Sequence, residues 1–354
     1  IKNEEAYAHV FVNHFPMEER AEARPAKTIP VYDRLDNAGA VWGARFGWER
    51  PNWFAPKNVK RGDNYSFRRS NWFEHVGNEV RATRENVGLI ELSSFSKFEI
   101  EGRSAREYID KLVANNIPQN VGGLSLVHAL NPSGSIRSEF TITRLSDGAI
   151  GERFFIVVPA AAHNIDLDFL QKALPKDGSV HLSDKTNQYG VFVLAGPNAR
   201  SVLQKIADAD ISNESFKWLS MQEIPIGFCP KVRAMRVNFV GSLGWELHHP
   251  IEYQLQLFEA LQEAGAEFGI KNVGMRAMDS MRLEKSYRLW GTDLNAENSA
   301  LEANLQRFVK LNKGEFTGRQ ALIEQQEQGV LNKFCTIEIE ADDADSFGLS
   351  LIHI

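Results

Sequence analysis

Apolar and polar residues alternate along Arg236-Val237-Asn238-Phe239-Val240, break at Gly241-Ser242-Leu243-Gly244, and resume over Trp245-Glu246-Leu247-His248. Period two on either side of a Gly-x-x-Gly step predicts two short strands joined by a tight connection, with Glu246 on the second. Similar patterning predicts strands over residues 95–101, 126–130, 135–145, 153–158, 190–195 and 233–240. Residues 6–12 also read as a strand-like run. Residues 47–54, aromatic-rich and carrying Arg50-Pro51, read as an extended segment. Asn131-Pro132-Ser133-Gly134 and Asp147-Gly148 are turn signals. In 135–145 the period places Ile136, Ser138, Phe140 and Ile142 on one face and Arg137, Glu139, Thr141 and Thr143 on the other.

Helical spacing marks 74–86, closed near Gly88, and 104–114, with Ser104 as its cap. A third helix has Pro197 in its first turn and runs to about Ala207. A fourth, 251–265, opens at Pro250 and presents Leu255, Phe258 and Leu261. Met275, Met278 and Met281 recur as a core stripe, and Glu284 and Arg288, one turn apart, suit a surface ion pair. Antiparallel strands with helices on one side imply an α+β fold.

At 354 residues and 43% hydrophobic content, the chain can bury more than one core. A net charge of -6 argues against nucleic-acid binding, and Lys57, Lys60, Arg61, Arg68 and Arg69 read as a solvated basic loop. Cys229 and Cys335 are far apart and outside metal-ligand spacing, and no apolar run reaches membrane-spanning length. Neighbouring His248 and His249 point to opposite strand faces, so no metal site is read from them. The chain opens at Ile1, which leaves any targeting segment unreadable. Residues 349–354 change character abruptly, read as translated adaptor, and are excluded from the fold reading.

Two carboxylates carry candidate chemistry. Glu246 would accept two parallel hydrogen bonds from a planar donor pair, such as the amino-pyrimidinone edge of a pterin, although taken alone a strand glutamate reads first as water-facing. Glu139 occupies a polar strand face that suits either solvent or a reacting group. No G-x-G-x-x-G occurs, so a dinucleotide-binding half is not expected in this chain.

Residues 236–248, taken with Met275-Arg276-Ala277-Met278-Asp279-Ser280-Met281 and the following Arg282-Leu283-Glu284-Lys285-Ser286-Tyr287-Arg288-Leu289-Trp290-Gly291-Thr292-Asp293, resemble the folate-binding core of the aminomethyltransferase (glycine-cleavage T-protein) superfamily. The second stretch most resembles its dimethylglycine and sarcosine dehydrogenase branch. Residues 47–54 resemble the central domain of those flavoenzymes, and 335–340 the first strand of a C-terminal barrel. The resemblance implies a T-protein-like fold of antiparallel sheets flanked by helices. Its divisions would be the end of an oxidoreductase central domain (1–71), a folate-binding domain (72–330) and the start of a truncated barrel (331–348).

The resemblance further implies capture, as 5,10-methylenetetrahydrofolate, of a one-carbon unit from an oxidised N-methyl amine. Tetrahydrofolate would bind here, FAD on a missing N-terminal domain, and no nucleic acid or membrane partner is implied. Glu139 stands where the family keeps the second acid of a pair, with Ser138 at the first place. It is the catalytic candidate; Glu246, Arg276, Arg282 and Trp290 are the folate-binding candidates, the arginines either on a folate carboxylate or as scaffold. Met278 replaces a T-protein arginine, and Glu315 stands where iron-sulfur assembly relatives place a reactive cysteine. The location implied is cytoplasmic in a bacterium or the mitochondrial matrix in a eukaryote. An aminomethyltransferase or related demethylase, and a non-catalytic folate-binding module, are the rival readings.

Overall fold

The computed structural model describes residues 1–338 and 340. After a first helix, α1 (Lys2–His9), and a short α2 (Tyr32–Asn37), β1 (Ala40–Arg45) and β2 (Trp48–Phe54) form an antiparallel hairpin. Its two-residue turn places Phe46 and Gly47 at φ 52° and 85°, the left-handed pair that matches strand twist. Pro51 lies opposite Trp42, beside a register shift; a residue without an N–H is tolerated at such an irregularity.

The remaining elements in chain order are α3 (Phe73–Glu85), β3 (Gly88–Glu91), β4 (Ser96–Gly102), α4 (Ala105–Leu112), β5 (Leu124–Leu130), β6 (Ile136–Arg144), β7 (Glu152–Val158), α5 (His163–Lys172), β8 (His181–Asp184) and β9 (Tyr189–Ala195). They continue through α6 (Ala199–Ile206), β10 (Met221–Ile226), β11 (Cys229–Met235), β12 (Gly244–Pro250), α7 (Gln254–Gly265), β13 (Lys271–Val273), α8 (Met275–Glu284) and α9 (Arg319–Gln328). One sheet has the order β10-β11-β12-β9-β3-β13 and the other β5-β6-β7-β4-β8. All their pairings are antiparallel except β13 with β3. The α+β expectation holds.

Each sheet is buried on both faces. Helices α6 and α7 cover Phe192, Leu194, Trp245 and Leu247 of the six-stranded sheet, and Val31, Leu35, Ala40 and Trp48 join this same core. The opposite face is divided. Met275, Met278 and Met281 of α8 pack on Ile90, Val191 and Val193, while Met221 and Met235 meet Leu124, Phe155 and Val157 of the five-stranded sheet. Helices α4 and α5 cover that second sheet's far side over Ile100, Phe140 and Ile142. At about 1.5–3 kcal/mol for each large apolar side chain removed from water, this layered burial dominates the stability.

Several expectations change for identifiable local reasons. Residues 6–12 contain no strand: α1 runs into them, and Tyr7, Val10 and Phe11 are exposed with no strand to pair with. Ser104 holds the N-cap position of α4 but makes no side-chain cap bond, and Pro197 precedes the Asn198 cap rather than entering α6. The strand expected over 233–240 ends at Met235. Beyond it, Asn238 Oδ1 accepts the N–H groups of Val240 and Gly241, and its Nδ2 donates to Ser242 O, so a side chain takes the place of a ladder partner.

On α7, Leu255 is half-buried and Leu257 joins Phe258 and Leu261 inside. Helix α8 ends at Glu284, before Arg288 can lie one turn above it, and Glu284 instead accepts from Arg84 at 2.7 Å. Among the described residues of 335–340 there is no strand; Ile339 and the rest of the expected barrel segment, from 341, lie outside them.

Candidate functional site

On β12, Trp245 and Leu247 face the helix-covered core, and period two turns Glu246 and His248 to the other side. Glu246 sits across from Val193 on one neighbouring strand and Met235 on the other. Its carboxylate accepts one long hydrogen bond, from His248 Nε2 at 3.3 Å. Burial holds the His248 ring well below the usual imidazole range, so it is neutral and donates through Nε2. With no cation bonded to it, the Glu246 carboxyl is pushed by burial up to about 7. Nearby Arg233 does not neutralise it, being engaged with Glu99 at 2.7 Å and Glu223 at 3.0 Å.

Glu139 occupies the matching layer on the other sheet. Ser138 turns the other way, towards α5, where its Oγ donates to Asp166 Oδ1 at 2.5 Å, and burial pushes Asp166 up to about 6. Glu139, Thr141 and Thr143 share the opposite face. Thr143 Oγ1 lies 3.8 Å from Met235 Sδ, and Met235 is the cross-strand neighbour of Glu246. Both carboxylates therefore project into the layer between the sheets, where alternation alone favoured an open, wet face for Glu139. Glu139 Oε2 is 2.9 Å from Nε2 of the fully buried His128, directly across on β5. That contact assigns the proton to Nε2 and leaves His128 Nδ1 without a partner.

The other predicted residues surround this layer without all entering it. Arg276 is bound through both terminal nitrogens to Asp63, at 2.8 and 2.7 Å, and stacks on Trp72 at 3.7 Å. Trp53 Nε1 adds a third bond to Asp63 at 2.8 Å. Arg276 thus joins α8 to the segment before α3. Arg282 bonds Asp279 at 2.7 Å, Tyr287 O at 3.0 Å and the Asp293 carboxylate. Asp293 also accepts from Leu289 N, so Arg282 closes the loop after α8. That loop delivers Trp290, whose Nε1 donates to Arg137 O at 3.1 Å, two residues from Glu139.

Sequence reasoning missed His128, His248 as a partner of Glu246, and Asp63. Counting outward from the 131–134 turn comes close to finding His128. A register shift between Ala129 and Leu130 moves the pairing by one residue, and only the shifted register puts His128 opposite Glu139. Asp63 lies 213 positions from Arg276 and carries no local signal.

A model of the GCVT N-terminal domain matches residues 31–313. Mitochondrial dimethylglycine dehydrogenase of Mus musculus is 36% identical over 349 residues, covering 98% of this chain and 40% of that protein. The mitochondrial pyruvate dehydrogenase phosphatase regulatory subunit of Mus musculus is 34% identical over 328 residues, 91% of this chain and 37% of that protein. The chain therefore spans about 40% of the length of these curated relatives. The crystal structure of glycine cleavage system aminomethyltransferase T from Bartonella henselae superposes with a TM-score of 0.70 at 25% identity, over 86% of this chain and 76% of that one. With most of its length matched, this chain belongs to the GCVT (glycine-cleavage T-protein) family.

Proposed function

We propose that this chain is the tetrahydrofolate-dependent, one-carbon-capturing part of a longer flavoenzyme that oxidises a small N-methyl amine such as dimethylglycine or sarcosine. The observation that supports it most is Glu246: a carboxylate on a central strand, mostly shielded with its side chain 17% exposed, with a single long protein hydrogen bond and acceptor capacity to spare. A pair of N–H donors on a flat ring fits that spare acceptor capacity. FAD would belong to the part of the enzyme outside this stretch, and the mitochondrial matrix is the location if the source is eukaryotic, as for the dehydrogenase relatives.

Bound tetrahydrofolate supplies a nucleophilic nitrogen. The chain's own residues then have three tasks. Glu246 holds and orients the ring through paired hydrogen bonds. Glu139 favours the approach of a cationic one-carbon donor and takes up a proton, with His128 keeping its carboxylate aimed into the layer. The loop closed by Arg282 and anchored by Trp290 supplies a wall beside Glu139.

Titration with tetrahydrofolate, read by quenching of tryptophan fluorescence, tests the reading. Glu246→Ala loses binding by at least 1–3 kcal/mol, about 5- to 150-fold, with its circular dichroism unchanged. Undiminished affinity in that variant overturns the assignment. The similarity to a regulatory subunit favours one second reading, a folate-binding module without turnover. Such a module would bind tetrahydrofolate through Glu246 and show no dependence of one-carbon capture on Glu139.

A further inference from the structure

Away from the two sheets, α1 ends at His9, and the chain folds back so that His14 and Glu18 meet it. One ligand atom from each of the three side chains lies within 4.8 Å of the other two. His9 Nε2 is 3.7 Å from Glu18 Oε1 and His14 Nδ1 is 3.8 Å from Glu18 Oε2, while the two imidazole planes are 6° apart with centroids separated by 5.3 Å. We propose that His9, His14 and Glu18 form a binding site for one divalent transition-metal ion of the zinc class, which clasps α1 to the segment that follows it.

The distances suit a single ion. Ligands about 2.0–2.1 Å from a tetrahedral centre sit about 3.4 Å from one another; the two histidine–carboxylate distances are within a few tenths of an ångström of that, and a turn of the exposed His14 ring out of its parallel stack on His9 brings its in-plane lone pair to the same point. The chemistry of His9 points the same way. Its Nδ1 is 2.8 Å from Glu5 O, and a carbonyl only accepts, so Nδ1 carries a proton and the lone pair of the neutral ring lies at Nε2. That lone pair faces a carboxylate oxygen, an arrangement that repels unless a cation or a proton stands between the two. A backbone carbonyl fixing the far nitrogen of a histidine is the outer-shell pattern of metal-bound imidazoles. Glu18 is fixed in turn, because Phe15 N donates to its Oε2 at 2.8 Å.

The clasp also has a mechanical reason. Helix α1 buries no residue, so no apolar face holds it in place. Glu19, next to Glu18, accepts from Ala44 N at 3.1 Å and Asn52 Nδ2 at 3.0 Å on the β1–β2 hairpin. An ion shared by His9, His14 and Glu18 would therefore reinforce, at the end of α1, the tie that Ala21 N and Glu22 N already make by donating to Glu5 Oε1. All three side chains are part-open to solvent, which gives an ion access and leaves water for the remaining coordination position.

The test uses the full chain carrying Cys335→Ser, which removes its exposed thiol. Titration with Co(II) gives visible d–d absorption that saturates at one equivalent and is displaced by Zn(II). In competition with a chromophoric chelator, His9→Gln, His14→Gln and Glu18→Gln each lose about 100-fold or more in Zn(II) affinity. Zn(II) raises the Tm of the parent chain and leaves that of the three variants unmoved, while tetrahydrofolate affinity is equal in all four. Failure to saturate at one equivalent, or undiminished Zn(II) affinity in His14→Gln, overturns the site in favour of a simple histidine–glutamate ion pair.

Discussion

Glu246 and Glu139, on the two facing sheets, each make a single side-chain hydrogen bond among the described residues, both to a histidine. Arg276 and Arg282, on α8, have their guanidinium groups held by acidic side chains, and Arg282 bonds a backbone carbonyl as well. Sequence reasoning nominated all four residues, but the folded chain treats them oppositely. A buried group with unused hydrogen-bonding capacity is costly unless a ligand completes it, whereas a saturated ion pair has nothing left to offer. On the proposed function, the carboxylates would be the residues that meet the ligand, while the arginines hold the loop after α8 and the segment before α3 in place.

The largest effect expected from this division is on folding. Arg276→Ala leaves Asp63 buried without its cation, and breaking a buried pair in this way costs about 3–5 kcal/mol. Urea unfolding should show that loss, with tetrahydrofolate affinity within a few-fold of the parent wherever the variant remains folded. A stable variant with abolished affinity would put Arg276 among the ligand-binding residues and break the comparison.

Next in size is the chemical step. Glu139→Gln keeps the shape and an oxygen for His128 Nε2 to bond, but removes the charge and the proton acceptor. Capture of the one-carbon unit in the intact enzyme, followed in a single turnover, should slow by about 100-fold with folate affinity little changed. An unaltered rate would reduce the chain to a binding module.

The sequence made these contrasts visible unevenly. Alternation around Gly244 was enough to place Glu246 on a strand, because period two is set by local sterics and survives without tertiary information. It misjudged residues 236–240 because the Asn238 side chain outcompetes a neighbouring strand for the backbone, a choice that depends on what else is near. It could show that Ser138 and Glu139 face opposite ways, but not that a second sheet covers the Glu139 side, since sheet stacking is a long-range event. The saturation of Arg276 by Asp63 was beyond reach for the same reason. The histidines at 9 and 14 were individually unremarkable and acquire meaning only when the chain folds back after α1.

The smallest effect is a pH dependence that separates the two roles of Glu246. Burial raises its folded-state carboxyl from the ordinary 4.5 to about 7, so between those values the folded chain retains a proton that the unfolded chain has released. By linkage, the stability this group contributes is fully present below the unfolded value and is lost as pH rises through about 7. Folate binding runs the other way, because the paired donors require the ionised carboxylate. Affinity should rise with pH, by up to tenfold per unit below about 7, and level off above it, and binding below that point should release a proton. Calorimetric titrations in buffers of different ionisation enthalpy measure that proton directly. Glu246→Gln should bind weakly with this slope removed, and relative to the parent it should gain unfolding stability as pH rises from about 4.5 to 7. A pH-independent affinity in the parent chain would mean that the ligand does not use this carboxylate, and Glu246 would then join the arginines as part of the frame.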